Sequence, residues 1–278
     1  MERRSLLSLL IEAADLACSM QKGIAADYKA DRSLVTQADL QVGTLIRQRL
    51  PLVLGHPCLV FDEEEIDAQQ TSPATYFAQL NQPIWFVDPI AGTTAYAAGL
   101  PFYAISIGRL NNGVPDIGAV CLPALGEFYI ACDGCAYRYT RNVSGQLVEE
   151  LMPRLPTMFN KDRPLATHSS PTLFAQYALC QAGGLPLASL PAVNIGLLWT
   201  ALGYYCACLI CLKVWDFAGS WAILRAVGAE LMDAETGVCL SAIDPSVIDD
   251  QWKLHTAHLA VVPEVYGQLR PMLEKKNG

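Results

Sequence analysis

The sequence predicts an α+β chain whose strands and helices stack in layers, in two halves that meet near residues 150–160. Three observations predict it. Helical periodicity and short apolar runs alternate along the chain. Turn signals join three consecutive strand-like runs in its middle. Hydrophobic residues make up 52% and charged residues 17% of the 278 positions, enough for a large core and too apolar for disorder.

Apolar residues recur at helical spacing over about 4–25. Arg3 and Arg4 precede this stretch as they would in a secretion signal, but Glu12 and Asp15 fall inside what should be its apolar centre. An amphipathic first helix is the reading. A second helix is expected over about 36–50. Residues 58–62 (CLVFD) and 84–88 (IWFVD) read as short buried strands that each end in an acid. Strand-like runs at 102–110, 116–122 and 126–131 are joined by Asn112–Gly113 and by the turn from Pro123 to Gly126. Residues 140–160, with Pro153 and Pro156, read as a connection, so the expected halves are 1–155 and 156–278. No Asp, Glu, Lys or Arg occurs from Pro164 to Leu212. Residues 192–212 are long enough to span a bilayer, but Gly196 and Gly203 interrupt them. A helix over about 191–202 followed by a buried strand over about 204–212 fits better. Helices and strands then alternate to the C-terminus, with no internal repeat or low-complexity tract.

The net charge is −8 and the pI near 5.0, with no Lys/Arg run, which argues against a nucleic-acid partner. An acidic chain can still act on an anionic phosphate if a metal supplies local positive charge. The ten cysteines include one C-x-x-C, Cys132–Asp133–Gly134–Cys135, without a second pair or paired His at zinc spacing; a turn between strands explains it. Unpatterned cysteines of this kind suit a reducing, cytoplasmic setting.

Three separated segments place acids where a buried strand ends or a helix begins. They are Phe61–Asp62–Glu63–Glu64–Glu65, the run from Trp85 to Thr94 containing Asp88, and Trp215–Asp216–Phe217–Ala218–Gly219. Carboxylates so placed can converge, and hard cations such as Mg²⁺ take such oxygen ligands. Gly92–Thr93–Thr94, after Pro89, reads as a turn into a helix whose N–H groups would hold a phosphate. Asp216 is expected at the N-terminal edge of a helix spanning 220–227. Taken singly, each segment has a plainer reading: a solvated Glu run, an ordinary turn at Asp88–Pro89, a simple helix cap at Asp216.

Together the segments resemble the inositol monophosphatase family of magnesium-dependent phosphatases. The family's central signature, W-[IV]-[IV]-D-P-[IL]-D-G-T, matches residues 85–93 except at Phe86 and Ala91. Its L-V-T-x-A-D matches Leu34–Val35–Thr36–Gln37–Ala38–Asp39. Its E-E pair matches Glu63–Glu64, and its W-D-x-A-x-G motif matches Trp215 to Gly219 closely. The resemblance implies a layered αβαβα sandwich, commonly a homodimer, and Mg²⁺ as cofactor. It implies that Glu63, Asp88, the Ile90 carbonyl and Asp216 bind metal. Gly92, Thr93 and Thr94 would cradle the phosphate, while Glu64 and Thr93, supported by Asp39, would position the attacking water. The partner implied is a small phosphorylated substrate, with neither nucleic acid nor membrane.

Two departures matter. Ala91 stands where the family has a second Asp shared between metal sites, so activity should fall by about 10²–10⁴-fold. Ala91 reads either as a substitution that inactivates an enzyme or as natural, giving a non-catalytic binding or regulatory protein or a changed chemistry. The second departure concerns the substrate. Members acting on inositol phosphate carry an acid about seven positions before the motif's Asp, and this chain has Cys206–Ala207–Cys208–Leu209 there, without one. That argues against a polyhydroxylated substrate. Recognition is then left to other groups, such as His168–Ser169–Ser170 or Lys213. A nucleotide substrate finds no clear adenine-binding signature.

Overall fold

A computed structural model describes residues 2–21, 26–28, 34–69, 71–78, 82–168, 171–177 and 184–273. The chain opens with α1 (Glu2–Met20), then the short hairpin β1 (Ala26–Tyr28) and β2 (Leu34–Thr36), then α2 (Gln37–Leu54). Next come β3 (Leu59–Asp62), α3 (Glu63–Gln69), α4 (Pro73–Phe77), β4 (Ile84–Ala91) and α5 (Thr93–Ala97). A meander follows: β5 (Ala104–Asn111), β6 (Val114–Leu122), β7 (Glu127–Cys132), β8 (Cys135–Arg141) and β9 (Leu147–Leu151). The C-terminal half holds β10 (Leu165–His168), α6 (Pro171–Gln176), β11 (Leu187–Leu190), α7 (Val193–Ala201), β12 (Ala207–Ile210), α8 (Val214–Ala226), β13 (Glu230–Asp233), β14 (His258–Val261) and α9 (Pro263–Leu269).

The seven strands from β3 to β9 form one sheet in sequence order, with β3 and β4 parallel and all later pairs antiparallel. A five-stranded sheet runs β11-β10-β12-β14-β13. The period of two along a strand sorts side chains between the layers. Trp85 and Val87 pack with Leu6, Leu10, Val42 and Ile46 of α1 and α2, whereas Ile84 and Phe86 pack with Phe217, Ala218 and Trp221 of α8. On the far side, Leu165, Leu209, Leu259 and Val261 pack against Leu173 of α6 and Val265 and Leu269 of α9. The order is helix, sheet, helix, sheet, helix: the expected αβαβα sandwich.

Three expectations need correction. β9 falls inside the region read as a connection. It is an exposed edge strand, with Glu149 and Glu150 in place of an apolar alternation, and charge on an edge strand discourages stray pairing. The last motif does not precede a helix at 220; it lies inside α8, which begins at Val214. The first helix ends at Met20, and residues 22–25 lie outside those described. The C-x-x-C is the β7–β8 turn, with Asp133 and Gly134 both at positive φ. The apolar stretch after Pro164 divides into helices and strands, and no helix among the described residues is long and apolar enough to cross a membrane.

Helix α8 lies unusually close to the seven-stranded sheet. A Cβ on Gly118 would sit 2.0 Å from the Gly219 carbonyl oxygen, and one on Gly108 would sit 2.4 Å from the Gly219 nitrogen. A Cβ on Gly219 would meet Ser106 Oγ at 2.6 Å. These glycines bring backbone against backbone, which fixes the start of α8 beside the sheet edge.

Candidate metal and phosphate site

Parallel pairing of β3 with β4 puts the ends of both strands on one sheet edge. The register sets Asp62 beside Val87, so Glu63 and Asp88 emerge as neighbours. Asp216 arrives from the first turn of α8, where its Oδ2 accepts the Lys213 N–H at 3.1 Å. Ligand oxygens of Glu63, Asp88 and Asp216 all lie within 4.8 Å of one another. Asp88 is buried, and its Oδ1 has no hydrogen-bond partner. Burial first, then the charges of Glu63, Asp216, Asp39 and Glu64, hold its carboxyl well above the usual carboxylate range. A divalent cation answers each of these features: it takes oxygen ligands, occupies the orphaned lone pair and offsets the crowded charge. The donor set therefore fits a hard metal ion.

The other predicted residues surround this cluster. Asp39 is the third residue of α2 and closes a capping box with Thr36, accepting its N–H at 2.7 Å and its hydroxyl at 2.5 Å. Its second oxygen lies 3.1 Å from Thr93 Oγ1. Burial raises the Asp39 carboxyl, and the hydrogen bonds from Thr36 and Thr93 oppose that rise. Thr93 Oγ1 also lies 3.0 Å from the Ile90 carbonyl oxygen, so one hydroxyl proton faces two acceptors. Glu64 is buried in the first turn of α3. Gly92 takes a left-handed conformation (φ 87°), and a Cβ there would lie 2.9 Å from Ala192 Cβ. Thr93 and Thr94 open α5, with Thr94 exposed. Ala91 is buried at the end of β4, opposite Ala104.

Sequence reasoning missed Asp62. Its carboxylate accepts the N–H groups of Glu64 (3.0 Å) and Glu65 (3.3 Å), which fixes the start of α3. Arg47 Nη1 lies 3.0 Å from Asp62 Oδ2, an ion pair without hydrogen-bond alignment. Burial still pushes the Asp62 carboxyl up to about 6, against the lowering effect of Arg47. Gly43 makes room, since a Cβ there would sit 2.4 Å from Asp62 Oδ2. The available signal was an acid closing a buried strand just ahead of the Glu run. Of the groups named for substrate recognition, His168 ends β10 and Lys213 precedes α8, while Ser169 and Ser170 lie outside the described residues.

A family model described as "Inositol monophosphatase family" matches residues 5–266. The chain belongs to that family. Curated relatives include the Neurospora crassa quinic acid degradation cluster protein x, 28% identical over 232 residues, which cover 76% of this chain and 65% of that protein. Inositol monophosphatase 1 of Solanum lycopersicum is 28% identical over 74% of each chain. The Escherichia coli 3′(2′),5′-bisphosphate nucleotidase CysQ is 24% identical over 74% of this chain and 78% of that one. Among solved structures, an IMPase of Thermotoga maritima superposes with a TM-score of 0.73 over 98% of this chain and 96% of that chain. Staphylococcal IMPase-I, in a complex with products, does so with a TM-score of 0.71 over 99% and 98%. Both are 16% identical to this chain, a similarity of fold.

Proposed function

We propose that the chain is a metal-dependent phosphomonoesterase acting on a small phosphate ester, with its metal site weakened by Ala91. The observation that carries this reading is the convergence of Glu63, Asp88 and Asp216 around an orphaned, buried Asp88 oxygen. Glu63, Asp88, Asp216 and the Ile90 carbonyl would hold Mg²⁺. Bound there, the ion supplies positive charge that offsets the phosphate oxygens and acidifies an attacking water. Gly92, Thr93 and Thr94 present backbone N–H groups to the phosphate at the start of α5. Thr93, its hydroxyl directed by Asp39 and the Ile90 carbonyl, accepts a hydrogen bond from the water. The Glu64 carboxylate takes the water's proton. No covalent phosphoenzyme is required.

The same reading extends to the whole protein: a homodimer in the cytoplasm, built of halves 1–155 and 156–278. Family resemblance supports the dimer, and free, unpatterned cysteines support a reducing compartment. Ala91 favours one second reading, a family member that has lost chemistry and binds a partner or ligand instead. Phosphate release from a panel of phosphomonoesters with Mg²⁺ separates the two, comparing this chain with Ala91→Asp. Turnover by Ala91→Asp at about 10²–10⁴ times the rate of this chain supports the enzyme reading. No turnover by either protein on any ester sinks it.

A further inference from the structure

We propose that Cys132 and Cys135 are a thiol pair that closes reversibly into a disulfide by exchange with a low-molecular-weight disulfide such as oxidised glutathione. The proposal stands apart from the phosphatase reading. The two residues close the β7–β8 hairpin and lie directly opposite each other in its ladder. Among the described residues no other two cysteines face each other across a ladder. Between them Asp133 (φ 51°) and Gly134 (φ 72°) make a two-residue turn, which sets its flanking residues side by side. Side chains of directly opposite residues share one face of a sheet. Cys132 packs there with Phe128, Ile130 and Tyr139, on the side of α1.

The turn itself calls for neither thiol, since Asp133 and Gly134 supply its positive φ values. Burial accounts for a cysteine that acts as a small hydrophobe, as it does for Cys132. Cys135 is exposed, and that account fails for it. The pair thus offers one thiol to solution and a second, sheltered thiol beside it. A Cβ on Gly134 would meet nothing within 4 Å, so the tip is open to an incoming molecule.

The Cys135 thiolate attacks one sulfur of the small disulfide, breaks its S–S bond and expels one thiol. A mixed disulfide is left on Cys135. The Cys132 thiolate then attacks the Cys135 sulfur, forms the Cys132–Cys135 bond and expels the second thiol. Two electrons pass from the pair to the reagent, and the two protons that the cysteines lose end on the two released thiols. Directly opposite Cβ atoms lie about 4.5–5.5 Å apart, and a disulfide holds them at about 3.5–4.5 Å. The hairpin must therefore tighten to form the bond, and a bond so strained is reopened by excess thiol.

The full chain, equilibrated in glutathione buffers, quenched in acid, alkylated and digested for mass spectrometry, tests this. At fixed reduced glutathione, a rise of about a hundredfold in its disulfide should carry the pair from mostly alkylated to mostly cross-linked. Excess reduced glutathione should reverse it. Cys132→Ser should stop at the mixed disulfide, raising glutathione-bound Cys135 by about tenfold or more. Cys135→Ser should leave Cys132 unmodified. Cys121 and Cys208, both buried, should stay unmodified throughout, which places the reaction in the folded chain. Alkylation of both thiols at every ratio overturns the proposal, as does a mixed disulfide that persists on Cys135 in the unaltered chain. It also falls if Cys121 and Cys208 react along with the pair, or if excess reduced glutathione leaves the bond intact.

Discussion

A methyl group at residue 91 offers a cation no lone pair, yet it packs comfortably, buried opposite Ala104. Restoring an acid should therefore have opposite effects with and without metal. In EDTA, Ala91→Asp buries one more carboxylate close to Asp88 and should lose about 1–3 kcal/mol. Saturating Mg²⁺ should close that deficit. Thermal melts in both conditions check it, and an equal loss in both would show that residue 91 lies off the metal site. A second residue sets a pH dependence. His168 is held near 4 in the fold, against 6.5 for the free group. Its contribution to stability is complete above pH 6.5 and is lost as the pH falls toward 4, about 3 kcal/mol in all. His168→Gln should flatten that part of the curve, read as urea midpoints between pH 4 and 7. At this scale much was legible in advance. Glu63, Asp88 and Asp216 were named from sequence and do converge, because each sits where a strand ends or a helix starts. Asp62 was noted as the acid closing its strand but given no role, since its part depends on the space left by Gly43 on α2.

Among the elements, α8 does the most to position the site. A Cβ at Gly219 would press on the Ile107 carbonyl oxygen and on the buried Ser106 and Val120 side chains, so Gly219→Ala forces a shift of the helix or of those residues. A loss of about 1–3 kcal/mol is expected, seen as a lower Tm, together with weaker Mg²⁺ binding as Asp216 moves. An unchanged Tm would mean that the helix rides freely over the sheet. Strand and helix existence was largely readable from periodicity, as β4, β5, β6 and β7 attest. The β1–β2 hairpin, α3 and α4 were not foreseen, and two further misreadings have physical reasons. β9 is a polar edge that shows no apolar alternation, and the first turn of α8 reads as the end of the preceding apolar stretch.

At the scale of the molecule, the layers place crowded negative charge at the edge of the seven-stranded sheet, a cost that an ion would relieve. Asp88→Asn removes one of those charges. It should raise the Tm of the metal-free protein and abolish its response to Mg²⁺. For the unaltered chain, Mg²⁺ at a hundred times its Kd would add about 2.7 kcal/mol. Melting curves across a Mg²⁺ series decide, and an undiminished response in Asp88→Asn would place the ion elsewhere. The five-layer order itself was carried by the family resemblance, because pairings such as β12 with β14 join residues too distant for local patterns to reveal.

Glu63 and Asp88 follow strands of the seven-stranded sheet and Asp216 opens α8, so an ion bound among them would tie distant parts of the chain together. Joining residue 88 to residue 216 closes a long loop that contains the whole meander and the first strands of the second sheet. Such a closure restricts the unfolded chain as well as the folded one if the ion stays bound to both ends. Removing it would untie the start of α8 from the end of β4, while the apolar packing of that helix between the two sheets stays in place.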